Sequence, residues 1–174
     1  RSLRPTASVE APVCVACLNC VRFCTFGAAR IDDTLIGVGG IVGAAVIDET
    51  ICTGCGVCAA ACPTGAIEMN FKPHGELIKT IQELNKFDPI EPKANTTLSK
   101  FDRSNVLLFS CPQCKSTTNT AIENPNPKWQ QSLNAQIVNV PCSGRIDTLQ
   151  LIHAFETGAD GVLVLGCEPG NCYF

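Results

Sequence analysis

The sequence predicts two small domains of different class: an α+β domain built on an internal repeat, then a small α/β domain with parallel strands. Three observations carry this expectation. Residues 14–24 and 52–62 repeat one cysteine pattern. Three short apolar runs beyond residue 105 each lead into a cysteine. Between the two regions, residues 88–104 are polar and carry Pro89 and Pro92, which reads as a linker.

The repeat is Cys14-x2-Cys17-x2-Cys20-x3-Cys24, answered by Cys52-x2-Cys55-x2-Cys58-x3-Cys62-Pro63. This is the ligand spacing of two [4Fe-4S] clusters, in which three close cysteines hold one cluster and the fourth of each run ligates the other. The expected sets are therefore Cys14, Cys17, Cys20 and Cys62 for one cluster, and Cys52, Cys55, Cys58 and Cys24 for the other. A disulfide framework does not require a double repeat, and zinc needs four ligands per site without an exchanged fourth.

The chain has 174 residues, 13 cysteines, a net charge of -3 and a pI near 5.3. That balance gives no argument for nucleic acid or an anionic membrane surface as partner. Thiolate ligands must stay reduced until metallated, and no signal peptide is seen, so a cytoplasmic, anaerobic setting is expected. The apolar stretch Leu35–Ile47 is too short and too glycine-rich to span a bilayer. The chain reads as a piece of a longer polypeptide, with its last domain truncated. Neither His74 nor His153 sits in a recognisable acid–base constellation.

In the first domain, residues 1–12 read as an irregular lead-in. Each cysteine run predicts a loop, a short helical turn and a strand, with strands near Ala29–Asp32, Ala44–Asp48 and Ala66–Met69. The segment from Gly37 to Gly43 fails the G-x-G-x-x-G pattern, because Val42 stands at the third glycine position. It is expected to be a glycine-rich hairpin over the clusters rather than a nucleotide loop. Residues 76–87 place Leu77, Ile78, Ile81 and Leu84 at helical spacing, predicting an amphipathic helix. The domains are thus expected at 1–71 and 104–174, with the helix and linker at 72–103.

In the second domain, Val106–Ser110, Ile137–Val140 and Val162–Leu165 suit strands buried on both faces. Residues 145–157 predict a helix with Ile146, Leu149, Ile152 and Phe155 on one face, ended by Gly158. The βαβ order implies parallel strands with right-handed crossovers. The connection through Asn124–Pro127 and Trp129 has no clear helix.

Parallel strands deliver their carboxyl ends to one edge, where ligand sites in open α/β sheets lie. Cys111, Cys142 and Cys167 follow the three strands, and Cys114 and Cys172 lie one loop turn away. Spacing alone leaves three readings of this rim: an iron–sulfur cluster, zinc, or thiol–disulfide chemistry at Cys111 and Cys114.

The first half resembles bacterial-type two-cluster ferredoxins. With its Cys17-Leu-Asn-Cys20-Val-Arg-Phe-Cys24 segment and following helix, it resembles the C-terminal ferredoxin region of the heterodisulfide reductase A protein. The second half, through Asn139-Val-Pro-Cys142-Ser-Gly-Arg-Ile-Asp147 and Gly166-Cys167-Glu-Pro-Gly-Asn-Cys172, resembles the delta subunit of methyl-viologen-reducing hydrogenase. That family usually has histidine after the Gly-Cys pair; here it is Glu168, which changes local charge. A similar domain order occurs in the B component of a quinone-interacting membrane-bound oxidoreductase.

The resemblance implies two [4Fe-4S] clusters and one [2Fe-2S] cluster, the last held by Cys111, Cys142, Cys167 and either Cys172 or Cys114. It implies transfer of single electrons between a hydrogenase or formate dehydrogenase and a heterodisulfide reductase-type complex, with no substrate chemistry in this chain. FAD is expected only on an upstream domain or partner, since no flavin fingerprint is present. Alternatives are the electron-transfer arm of a quinone-interacting oxidoreductase, or a ferredoxin carrying a zinc-bound docking domain. Arg22, where the second run has Ala60, is expected either to raise one cluster's potential or to face a partner.

Overall fold

In the computed structural model, residues 5–84, 104–111 and 134–167 are described, with Gly170, Cys172 and Phe174. They fall into two compact units. The first takes residues up to Gly75 together with Gly144–Asp147 and Phe174; the second takes Glu76–Ser143 and Thr148–Tyr173. The predicted linker, the end of the 76–87 helix and the Asn124–Pro127 connection lie outside the described residues.

The first unit is a pair of two-stranded antiparallel ladders with two short helical turns. In chain order it has β1 (Ala7–Val9), α1 (Asn19–Phe23), β2 (Ala29–Ile36), β3 (Val42–Ile47), α2 (Val57–Ala60) and β4 (Ile67–Met69). β1 pairs with β4 in the register Ala7↔Met69 and Val9↔Ile67. β2 pairs with β3 from Ala29↔Ile47 to Asp32↔Ala44, with a register irregularity before Ile36↔Val42. The lead-in is therefore not irregular throughout. A three-residue strand is too short to show a period in sequence, and its partner β4 lies far along the chain. Reciprocal bonds hold the ladder's end: Thr6 N–H donates to Asn70 Oδ1 and Asn70 Nδ2 donates to Thr6 Oγ1, both at 2.8 Å.

The core of this unit is small-residue. It consists of Ala7, Ala28, Ala29, Ala44, Ala45, Ala66, Ile67 and Met69 with the thiols of Cys14, Cys20 and Cys52. Burying a methyl group contributes roughly 0.8 kcal/mol, so alanines alone give this core little stability.

α3 (His74–Leu84) follows, and Glu68 Oε1 accepts the backbone N–H of His74 at 2.9 Å, satisfying one of the helix's initial donors. Leu77 and Ile81 are fully buried, as the spacing predicts.

The second unit contains a three-stranded parallel sheet in the order β6–β5–β7, from β5 (Asn105–Ser110), β6 (Asn134–Asn139) and β7 (Gly161–Leu165). Leu107, Leu108 and Phe109 of central β5 are buried, as a strand covered on both faces requires. Edge strand β7 departs from that expectation, since Leu163 and Val164 are 47% and 41% exposed. α4 (Thr148–Glu156) precedes β7, and Gly158 at φ +115° ends it, as predicted. Its buried residues are Gln150 and Ala154, while Leu149, Ile152 and Phe155 are exposed. Apolar spacing identified a face, but the helix turns its short Ala154 inward instead. Arg145, expected in this helix, stands in a separate 3-10 turn, Ser143–Arg145.

Candidate metal centres

Both cysteine loops need the same unusual backbone. The residue before the second cysteine of each run is left-handed, Ala16 at φ +50° and Gly54 at +77°. So is the residue after it, Leu18 at +67° and Gly56 at +81°. Gly27 and Gly65, three residues past each fourth cysteine, share φ +67°. The sequence repeat is thus a conformational repeat. Such turns aim successive amides and thiols inward, and non-glycine residues there carry roughly 1–2 kcal/mol of strain each.

The two loops enclose two cavities. One is lined by Cys14, Cys17, Cys20 and Cys62. The other is lined by Cys24, Cys52, Cys55 and Cys58. The fourth cysteine of each run therefore lines the cavity of the other run. No disulfide joins any described cysteine.

Several features of the walls suit an anionic cluster of iron and sulfide. Cys14 Sγ accepts N–H bonds from Ala16 and Ala45 at 3.4 Å, and Cys24 Sγ accepts one from Ala28 at 3.3 Å. Thr53 lines the second cavity, and its Oγ1 is buried with no protein partner. Burial, followed by the neighbouring charges of Cys55 and Cys52, pushes the Cys58 thiol up to about 12. Burial raises Cys20 too, reinforced by Cys14, Cys17 and Cys62. Thiolates gathered this closely repel one another unless a cation lies among them, which is the linkage between metal binding and deprotonation.

The hairpin between the runs closes over the first loop. Val38 N–H donates to Cys14 O at 2.9 Å, and a Cβ on Gly37 would collide with that same carbonyl. This is the packing role expected of the glycine-rich spacer.

In the second unit the three strands end level. Ser110 stands opposite Asn139 and Leu165, so the chain positions of Cys111, Cys142 and Cys167 all fall just past one sheet edge. Cys111 is buried and its thiol donates to Pro141 O at 3.3 Å. The loops after β6 and β7 approach each other, since a Cβ on Gly166 would touch Ser143 Oγ at 3.7 Å. Ser110 Oγ, beside Cys111, is buried without a partner. Cys172 is exposed. Cys114 lies outside the described residues, so the choice between Cys114 and Cys172 stays where the sequence left it.

Arg22 is exposed. Arg145 is a different matter, and the sequence reading missed it. It packs within the first unit and is 2% exposed. Its Nη2 donates to Lys72 O at 3.1 Å and stands 3.5 Å from Glu68 Oε1. A Cβ on Gly56 would overlap Arg145 Cδ and lie 3.3 Å from its Nε. A single arginine in a Ser-Gly-Arg turn has no periodicity or motif that announces this placement.

An internally repeated α+β fold with eight cysteines around two cavities defines an iron–sulfur electron-transfer module of the two-cluster ferredoxin class. Residues 13–75 match the family model of the 4Fe-4S dicluster domain, and residues 106–174 match that of the methyl-viologen-reducing hydrogenase delta subunit. Across 168 residues the chain is 31% identical to the A component of the ferredoxin:CoB-CoM heterodisulfide reductase of Methanosarcina mazei, a match that covers 97% of this chain and 18% of that protein. The chain is also 33% identical over 70 residues to the iron-sulfur D component of the F420-non-reducing hydrogenase of Archaeoglobus profundus, covering 40% of this chain and 50% of the relative. It is 43% identical over 47 residues to the corresponding vhc iron-sulfur component of Methanococcus voltae, covering 27% of this chain and 33% of the relative. The chain thus spans half or less of each of these relatives. Its two regions are similar to a 4Fe-4S dicluster domain and to a hydrogenase delta subunit in turn, and together to part of a heterodisulfide reductase A protein.

Proposed function

We propose that this chain relays single electrons between a hydrogenase or formate dehydrogenase and a flavin-containing heterodisulfide reductase-type complex in the cytoplasm. The supporting observation is the crossed distribution of eight thiols over two cavities. Cys14, Cys17, Cys20 and Cys62 would hold one [4Fe-4S] cluster, and Cys24, Cys52, Cys55 and Cys58 the other. Cys111, Cys142 and Cys167, with Cys172 or Cys114, would hold a [2Fe-2S] cluster.

When bound, such clusters accept and release one electron at a time without making a substrate bond. The chain's residues do the rest. The amides of Ala16, Ala28 and Ala45 draw charge from the cysteine sulfurs. Apolar side chains, among them Ile31, Ala45, Phe26 and Ile47, line the cavities and limit water there, and the exposed faces of both units remain for docking. Among the described residues no helix is long and apolar enough to cross a membrane, and no nucleic-acid role is proposed.

The test is reconstitution. The anaerobically purified chain, mixed with a hydrogenase or formate dehydrogenase that co-purifies with it, should lose visible iron–sulfur absorbance on addition of hydrogen or formate. It should regain it on addition of the flavoprotein acceptor. No bleaching with either donor would overturn the proposal. Co-purification with a membrane quinone-reactive protein instead would redirect it to the quinone-interacting class.

A further inference from the structure

The two cysteine loops share a backbone but not their surroundings. In the first loop the left-handed residue between the second and third cysteines is Leu18, 39% exposed. In the second loop it is Gly56, and glycine is needed there for a reason beyond φ. The side chain of Arg145 lies across it so closely that a Cβ would overlap Arg145 Cδ. Gly56 is flanked in sequence by Cys55 and opens the turn that carries Cys58. A guanidinium, which keeps its charge when buried, therefore rests against the loop of one cluster site.

Three facts make this more than packing. First, Arg145 Nε is buried and has no hydrogen-bond partner, and it is the guanidinium nitrogen beside Gly56. Leaving a buried charged donor unsatisfied is costly unless something supplies an acceptor. Second, the counter-charge is incomplete. Glu68 stands 3.5 Å from Nη2 but is 49% exposed, so solvent screens part of its charge. Asp147, the other carboxylate acting on Arg145, is shared with His74 at 3.2 Å. Third, the positive charge in the matching part of the first run, Arg22, is in solvent, where a charge acts weakly at distance.

We propose that Arg145 is a positioning residue that sets the two [4Fe-4S] sites apart in potential, by holding a buried positive charge against the loop of the Cys24, Cys52, Cys55 and Cys58 site. This rests on the two-cluster reading above. Adding one electron makes a cluster more negative, and a fixed cation in a poorly screened place favours that state. The site beside Arg145 is then the higher-potential of the pair and the one reduced first.

The experiment is a redox titration of the full chain with dithionite and mediators, followed by electron paramagnetic resonance, on wild type, Arg145→Gln, Arg145→Lys and Glu68→Gln. Iron content is measured on each. The signal lost in Cys24→Ser identifies the site. Arg145→Gln should lower the potential of that site and leave its twin unmoved, while Arg145→Lys should stay near wild type. Glu68→Gln keeps a carbonyl to accept His74 N–H but removes the counter-charge, so it should move the same site upward. A purely structural role would not give opposite shifts from the two partners. The proposal is overturned if Arg145→Gln with full iron leaves both potentials unchanged, or lowers both equally, or if Arg145→Lys falls as far as Arg145→Gln. Should Arg145→Gln fail to fold, Arg145→Met, which keeps the apolar stem against Gly56 and removes the charge, decides by the same downward shift. Absence of [4Fe-4S] signals from the wild type would instead sink the two-cluster reading itself.

Discussion

The interiors of the two units are made of different material. The first fully buries alanine and cysteine with Ile67 and Met69, and its other large apolar residues, such as Ile31, Leu35 and Ile47, are only half-buried against them. The second has Leu107, Leu108, Phe109, Val138 and Val140 buried in a parallel sheet. A sheet packed with branched and aromatic side chains supplies its own hydrophobic stabilisation. A buried core of alanine and cysteine supplies less, and what fills its cavities must supply the difference. The contrast teaches that in the first unit the metal sites are also the core, whereas in the second the thiols sit on the rim of a core that exists without them.

Removing iron is the strongest way to break that comparison. Chelation under reducing conditions should unfold the first unit, because the linkage between metal binding and folding is of the order of the unit's whole stability, about 5–15 kcal/mol. Amide exchange should then lose protection over Ala7–Val9, Ala29–Ile47 and Ile67–Met69 while Asn105–Ser110 keeps it. Equal loss in both units would show that the second core is not self-sufficient.

The converse is Leu108→Ala, at a position 1% exposed. It should cost the sheet about 2–5 kcal/mol in denaturant melts and leave the [4Fe-4S] absorbance of the first unit in place.

Within the first unit the comparison sharpens to Gly56 against Leu18. Gly56→Ala adds a methyl group both to a φ of +81° and to the space Arg145 fills, so it should destabilise by about 2–4 kcal/mol. Leu18→Gly relieves strain at φ +67°, which should outweigh the loss of a 39% exposed side chain at the first cavity, and should stabilise by up to about 1 kcal/mol. Thermal melts of the holo protein read both. Shifts of the same sign would mean that backbone strain does not separate the two loops.

The smallest effect is one of pH. The Thr50 hydroxyl and amide, at 2.6 and 2.9 Å, hold the Asp48 carboxyl below its ordinary value in the turn before Cys52. A depressed carboxyl stabilises the fold above its ordinary titration range and loses that contribution as pH falls through the folded value. Asp48→Asn should therefore narrow the difference in melting temperature between neutral and acidic buffer by a small amount.

Much of this was legible beforehand because cysteine spacing is a local code for a three-dimensional object. The crossed sets needed no structure to be written down, and neither did the three level strand ends, since each apolar run stops at its cysteine. The strand Ala7–Val9 was hidden because three residues carry no period. The direction of the α4 face was not legible because spacing groups Leu149, Ile152 and Phe155 without saying whether a sheet receives them. Arg145 was invisible because its meaning lies in Gly56, 89 residues earlier in the chain (145 − 56). The extra clue was there in retrospect: the second run has glycine where the first has Ala16 and Leu18. Gly54 meets Pro5 and Gly56 meets Arg145, so each glycine marks a neighbour.

The most direct check is elemental. Iron, zinc and acid-labile sulfide should be measured per chain on protein purified without oxygen. Two [4Fe-4S] clusters and one [2Fe-2S] cluster predict roughly ten irons, roughly ten sulfides and no zinc. Roughly eight irons with one zinc would contradict an electron path through the second unit and make it a docking domain. A chain that folds with no iron at all would contradict the reading of its first unit as a fold built around metal.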